Sequence, residues 1–261
     1  MSDQALRLPD FIVGGAARSG TTWLYEVADA HPEIAMAKPP RPEPKFFFVD
    51  PLYERGLAYY AETWFAPLPR GSRLGEKSTA YLESPDAARR IRAALPDVRM
   101  VFLLRHPADR AYSNYVWSRQ NGHETEEFER ALALEEERER TAPPEQRFVR
   151  PFAYFSRGLY ASHLARYFAV FPRERILILR YEDIAARPRE VALEFQRFLG
   201  IAERPDLVAG RGPVNASNHD AVGPMPRDVR EALTRRYAAE NRRLCELLGP
   251  GFALWDDAAA R

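Results

Sequence analysis

The sequence predicts an α/β fold: a parallel β-sheet flanked by helices, with a phosphate-binding loop. Three observations predict it. Phe11 to Leu24 passes from a short apolar run through a glycine-containing turn into residues that can start a helix. Arg99 to Arg105 is an apolar run with cations at both ends and Arg175 to Leu179 is a second such strand, the pattern of strands buried on both faces of a parallel sheet. Helical periods alternate with these runs, as in a doubly wound sheet, whose ligands sit at the carboxyl ends of its strands.

The elements follow in chain order. Thr21 to Ala30 reads as a helix that ends at His31-Pro32. Met36 to Pro44 holds four prolines and reads as an irregular surface segment. The aromatic run Phe46 to Phe48 pins it to the core, which would hold Glu43 in place. Tyr53 to Phe65 is helical, with Tyr60 and Trp64 on its apolar side. Arg73 to Ser78 is short and extended, and Pro85 to Leu95 is a helix rich in Ala and Arg.

After the central apolar run, Pro107 occupies a first-turn position and a helix continues to about Gln120. Glu124 to Arg140 reads as a solvated amphipathic helix with Phe128, Leu132 and Leu134 in its apolar row. Ala142-Pro-Pro-Glu145 breaks it. Leu159 to Phe171 is helical. Val191 to Leu199 marks the next helix, closed by Gly200, and Arg227 to Leu248 the last, closed by Gly249. The 261 residues thus form one domain, 1–261, with a helical cap or insertion at about 122–156.

The first corner carries the chemistry. From Gly15 the spacing is glycine, four residues, Gly20, then Thr21-Thr22, a phosphate loop with Thr21 where a nucleotide triphosphatase has lysine. Backbone N–H groups and the positive end of the helix dipole aim at one point there, and Arg18 is the nearest cation. The central strand ends in Arg105-His106 rather than in a carboxylate that would hold Mg²⁺. The expectation is metal-free chemistry, with two cationic corners on one sheet edge gripping a ligand that carries phosphate at two positions. The five histidines show no metal-ligand spacing, so no residue is assigned to a metal.

Composition narrows the function class. Apolar residues make up 46% of the chain, enough for a large core, and a formal net charge of +1 argues against a general nucleic-acid binder. One cysteine, Cys245, excludes an intrachain disulfide and reads as a half-buried structural thiol in a reducing compartment. No apolar stretch is long enough to span a membrane, so the expected location is cytoplasmic. Of 38 basic residues only Lys38, Lys45 and Lys77 are lysines.

Ala17-Arg-Ser-Gly-Thr-Thr-Trp-Leu24 and Arg105-His-Pro-Ala-Asp-Arg-Ala-Tyr-Ser113 resemble the two donor-binding signatures of the sulfotransferases, in order. Those enzymes use 3′-phosphoadenosine 5′-phosphosulfate (PAPS). Similar stretches are Glu43-Pro-Lys-Phe-Phe47, Gly75-Glu-Lys-Ser78, Arg180-Tyr-Glu-Asp183 and the run from Tyr237 to Trp255. The resemblance spans nearly the whole chain and lies nearest the bacterial and Golgi carbohydrate-type branch. It implies a phosphate-loop sulfotransferase fold with PAPS as co-substrate. Ser19, Gly20, Thr21, Thr22 and Trp23 would hold the 5′-phosphate, and Arg105 and Ser113 the 3′-phosphate. Arg18 would lie near the leaving oxygen, Lys77 near the sulfuryl group, and Glu43 would be the general base. Independently of the resemblance, burial by Phe46 to Phe48 is expected to raise the Glu43 carboxyl.

The chain departs from the family at Arg18, usually Lys, at Pro42, also usually Lys, and at Lys45, usually His or Asn. Lys38 or Arg41 substitutes at the second of these, or that contact is lost. No basic glycine-rich loop stands near the C-terminus, and Asn215 to His219 is the candidate to close that side. Glu76, Glu182 and Asp183 read as ion-pair partners. The implied acceptor is a small molecule or glycan, through a hydroxyl of a sugar, lipid or secondary metabolite. The alternatives are a kinase-like phosphoryl transferase and a non-catalytic nucleotide-binding protein.

Overall fold

The computed structural model describes residues 6–143, 146–209, 222–252 and 255. The Asn215–His219 loop lies outside them. The chain divides into two compact units, residues 1–104 with 166–215, and residues 105–165 with 216–261.

The first unit holds a five-stranded sheet built from β1 (Phe11–Gly15), β2 (Ile34–Met36), β3 (Arg73–Lys77), β4 (Arg99–Leu104) and β5 (Ile176–Arg180), in the order β2-β3-β1-β4-β5. Every pairing is parallel. The apolar runs are buried as their composition requires: β1 and all of β4 after Arg99 are buried, and β5 is buried except at Leu177 and Arg180. Strand β2 has no counterpart in the sequence reading. Three residues, Ile-Ala-Met, are too short to show a period, and only hydrogen bonding to β3 makes them a strand.

Helix α1 (Thr21–Asp29) packs Trp23, Leu24 and Val27 into a core with Phe11, Val13, Val101, Leu103 and Leu179, and with Val191, Phe195 and Leu199 of α9 (Pro188–Leu199). The expected helix over Tyr53 to Phe65 is two, α2 (Asp50–Tyr53) and α3 (Gly56–Trp64), because Gly56, where the second begins, has φ +80°. Helix α4 (Ala87–Ala94) precedes β4. Between β5 and α9 lies α8 (Tyr181–Ala186), and Gly200, in the left-handed conformation at φ 67°, closes α9 as expected.

The second unit is helical: α5 (Pro107–Gln120), α6 (Phe128–Thr141) and α10 (Arg227–Leu248), joined by the start of α7 (Tyr160–Phe168), which runs on into the first unit. Its core gathers Tyr112, Tyr115, Phe128, Tyr154, Leu233 and Tyr237. The acidic segment is not simply solvated. Buried Glu124 accepts bonds from Tyr154 Oη at 2.7 Å and Arg138 at 2.6 Å, and buried Glu135 accepts the N–H groups of Phe155 and Ser156 at 2.6 and 2.8 Å. Carboxylates thus tie the irregular chain after α6 to the helices, replacing backbone partners that chain lacks. Cys245 is exposed rather than half-buried, since α10 turns Tyr237 and Leu244 inward instead. Among the described residues no helix is long and apolar enough to cross a membrane.

Candidate active site

Strand β1 sits at the centre of the sheet, and the loop after it carries the sequence's phosphate-binding spacing. Gly20 is the N-cap of α1 at φ 83°, and it brings no side chain to cap the helix. A Cβ there would lie 2.7 Å from Ile184 Cδ1 and 2.9 Å from the Tyr181 ring, so both space and backbone require glycine. The first intrahelical bond runs from Leu24 N–H to the Gly20 carbonyl at 3.3 Å. The N–H groups of Thr21, Thr22 and Trp23 therefore have no partner within the helix, and they face the end where its dipole is positive. The buried Ser19 hydroxyl likewise makes no hydrogen bond. Donors so arranged suit an anion. Trp23 presents only its backbone there, because its side chain is wholly buried in the sheet core. Arg18 is part-exposed within the loop, in the left-handed conformation at φ 67°.

Strand β3 runs beside β1 with Val13 opposite Lys77, and the Ser78 N–H donates to the Val13 carbonyl at 3.1 Å. Lys77 therefore stands at the carboxyl end of β3, on the sheet edge of the loop. Its ammonium, 4% exposed, forms an ion pair with Oε1 of Glu43, 14% exposed. Thr79 completes the grip. Its N–H and its hydroxyl each donate to Glu43 Oε2 at 2.9 Å. The structure thus brings together Glu43 and Lys77, residues 34 apart in sequence.

The Glu43 carboxyl is not raised. Desolvation pushes it up, but the Lys77 charge, its hydrogen bond, the Thr79 N–H and the Lys45 charge outweigh burial and hold it below the usual carboxylate range. The rings of Phe46 and Phe47 pack against Tyr53, Tyr60 and Tyr81. Glu76, expected to be an ion-pair partner, is fully buried and takes a hydrogen bond from the Tyr60 hydroxyl instead. Desolvation pushes it up to about 7. Asp183 does form an ion pair, with Arg187 at 2.8 Å. Sequence reasoning missed Thr79, whose only mark was its place beside Ser78, and Tyr60, which read as an ordinary core aromatic.

In the second unit Arg105 immediately follows β4, and its carbonyl accepts from the Tyr160 hydroxyl at 2.9 Å. Ser113 lies on α5, 2% exposed. Asp109, on the same helix, is gripped by Arg230 of α10 at 2.8 and 3.0 Å.

A parallel sheet whose central strand enters a glycine-capped helix, beside a Lys–carboxylate pair, defines a phosphate-loop α/β protein. The sulfotransferase domain model matches residues 8–210, and the chain belongs to the sulfotransferase family. It is 34% identical over 206 residues to human bifunctional heparan sulfate N-deacetylase/N-sulfotransferase 3, a match covering 75% of this chain and 22% of that protein. The chain spans about a fifth of the length of such relatives. A solved sulfotransferase from Alicyclobacillus acidocaldarius superposes with TM-score 0.76 at 32% identity, covering 93% of this chain and 96% of its own. Mouse sulfotransferase SULT7A1, solved with PAP, shares the fold at TM-score 0.54 and 17% identity, over 92% of this chain and 82% of its own.

Proposed function

We propose that the chain transfers the sulfuryl group of PAPS to an acceptor hydroxyl, with no metal. The observation that carries the reading is the Lys77–Glu43 pair at the sheet edge that also carries the uncapped loop. In this reading Ser19, Gly20, Thr21, Thr22 and the Trp23 N–H hold the 5′-phosphate, and Arg105 and Ser113 hold the 3′-phosphate. Glu43 takes the acceptor proton. The acceptor oxygen bonds to sulfur as the bond from sulfur to the phosphate oxygen breaks, and Arg18 neutralises the charge left on that oxygen.

A carboxylate held by an ammonium and two threonine donors is a poor base, so Lys77 has two tasks. It leaves Glu43 for the sulfuryl oxygens when the donor is bound, and its departure returns the carboxyl towards its ordinary range. The base is then unmasked only with the sulfuryl group in place.

The acceptor is a small molecule or a glycan, a choice the heparan sulfate relatives support for glycans. In this reading residues 1–261 act as one sulfotransferase domain with 122–156 as its cap, in the cytoplasm of a bacterium. A single cysteine and the Alicyclobacillus neighbour support that setting. Thermal shift with 3′-phosphoadenosine 5′-phosphate (PAP) against ATP–Mg²⁺ tests the donor. Binding to the native state raises the melting temperature by mass action. PAP is expected to raise it and ATP–Mg²⁺ to leave it unchanged; a rise with ATP–Mg²⁺ alone overturns the assignment.

A further inference from the structure

Three consecutive residues shortly after Glu43 are held by three side chains, two through hydroxyls and one through a ring. The Lys45 N–H donates to Ser78 Oγ at 2.8 Å. The Phe46 ring stacks on the Tyr60 ring, centroids 4.5 Å apart and 15° from parallel. The Phe47 N–H donates to the Tyr81 hydroxyl at 3.3 Å. The same three side chains lie about one carboxyl, that of Glu76. Tyr60 donates to Glu76 Oε2. Oε1 is buried with no hydrogen-bond partner, and the Ser78 and Tyr81 hydroxyls are near enough to lower the carboxyl against the rise from burial. A hydroxyl that accepts a backbone N–H still has its own proton to give, so Ser78 and Tyr81 can serve the chain on one side and Glu76 on the other, while Tyr60 does so with its ring and its hydroxyl.

A fully buried carboxyl on a five-residue strand is costly unless its partners are fixed. It neighbours Lys77 in sequence but is bonded by Tyr60 of α3, with Ser78 and Tyr81 of the turn after β3 nearby. The Lys77–Glu43 pair uses none of these groups. Chained hydrogen bonds in a low-dielectric interior reinforce one another, and such a network rigidifies what it touches.

We propose that Glu76 is a positioning residue, the hub through which Tyr60, Ser78 and Tyr81 clamp residues 45–47 and so hold the Glu43 carboxylate against Lys77. The inference rests on the reading of Glu43 and Lys77 as the reacting pair. It adds that their contact is set by an acid that touches neither donor nor acceptor. Holding a catalytic group within a fraction of an ångström is what such a supporting layer supplies.

The test compares Glu76→Ala and Glu76→Gln in the full chain by amide hydrogen exchange, by the ¹³C titration of the Glu43 carboxyl, and by PAP affinity. Glu76→Ala is expected to speed exchange of the Lys45 and Phe47 amides at least tenfold. The Glu43 midpoint should move up as its contact with Lys77 loosens, while PAP affinity stays within twofold. Glu76→Gln, which still accepts the Tyr60 proton, is expected to restore both readouts. Unchanged exchange and an unchanged midpoint in Glu76→Ala overturn the proposal, as does failure of Glu76→Gln to restore them. If Glu76→Ala does not fold, Tyr60→Phe carries the test. It keeps the ring on Phe46 and removes one hydroxyl, and at least threefold faster exchange at Phe47 is expected; no change overturns the clamp. Full turnover of 2-naphthol by Glu43→Gln would end the base reading instead, and leaves the exchange result to stand on its own.

Discussion

Lys77 and Glu43 form an ion pair that is nearly closed to water, and Thr79 takes the second carboxylate oxygen. The pair has two separable duties, charge neutralisation and proton removal. Glu43→Gln keeps the shape and the Thr79 contacts but removes the base. The expected outcome is a loss of at least about a hundredfold in kcat, within the range general bases supply, with PAP affinity within twofold of wild type. Steady-state turnover of a phenol acceptor and calorimetric titration of PAP check the two halves. Wild-type turnover would remove Glu43 from the reaction.

The phosphate loop makes a second prediction. Gly20 has φ 83°, and a methyl group there would meet Ile184 and the Tyr181 ring inside 3 Å. Gly20→Ala should destabilise the chain by about 1–2 kcal/mol from the left-handed conformation alone, with more from the clash. It should also weaken PAP binding at least tenfold, because the displaced loop no longer aims its N–H groups at one point. Chemical denaturation and PAP titration give the two numbers, and an unchanged midpoint with unchanged affinity would refute the loop's role.

What could be read from the chain depended on whether the signal was local. The loop, β4, β5 and the Gly200 stop announced themselves through apolar runs and glycines, because burial on both faces and left-handed caps each leave a mark at fixed spacing. Strand β2 left none, since its identity lies in pairing with β3. The candidate site divides in the same way. Glu43 and Lys77 came from resemblance to a family. Their contact, the grip of Thr79 and the sign of the Glu43 shift depend on residues distant in sequence, and no period encodes these. The buried carboxylates Glu76, Glu124 and Glu135 were misread for a related reason: composition treats a charge as solvated until partners are visible.

Lys45 yields a third prediction. It stands in the left-handed region at φ 50°, which a long side chain occupies at a cost and asparagine tolerates. Its charge also helps hold the Glu43 carboxyl down. Lys45→Asn should therefore stabilise the fold by up to about 1 kcal/mol and raise the Glu43 midpoint. Denaturant unfolding and ¹³C titration read the two effects. A destabilised variant would show that Lys45 contacts outweigh the backbone strain.

The last prediction follows from Glu76. Burial raises its carboxyl from 4.5 to about 7 in the folded state. A group raised by folding favours the native state most when both states are protonated, below about pH 4.5, and that contribution is lost as pH rises through the folded value near 7. The shift corresponds to about 3 kcal/mol. Glu76→Gln has no proton to lose at this position. Between pH 4.5 and 7.5 the unfolding free energy of the wild type should therefore fall relative to that of the variant by about this amount. Glu43, whose carboxyl is lowered, works in the opposite sense and in acid: its contribution is present above the unfolded value and disappears as pH falls through the folded one. Because Glu43 is intact in both proteins, its effect cancels in the difference. Urea unfolding of wild type and Glu76→Gln at four pH values measures that difference directly, and a difference that does not change with pH would mean Glu76 is ionised throughout.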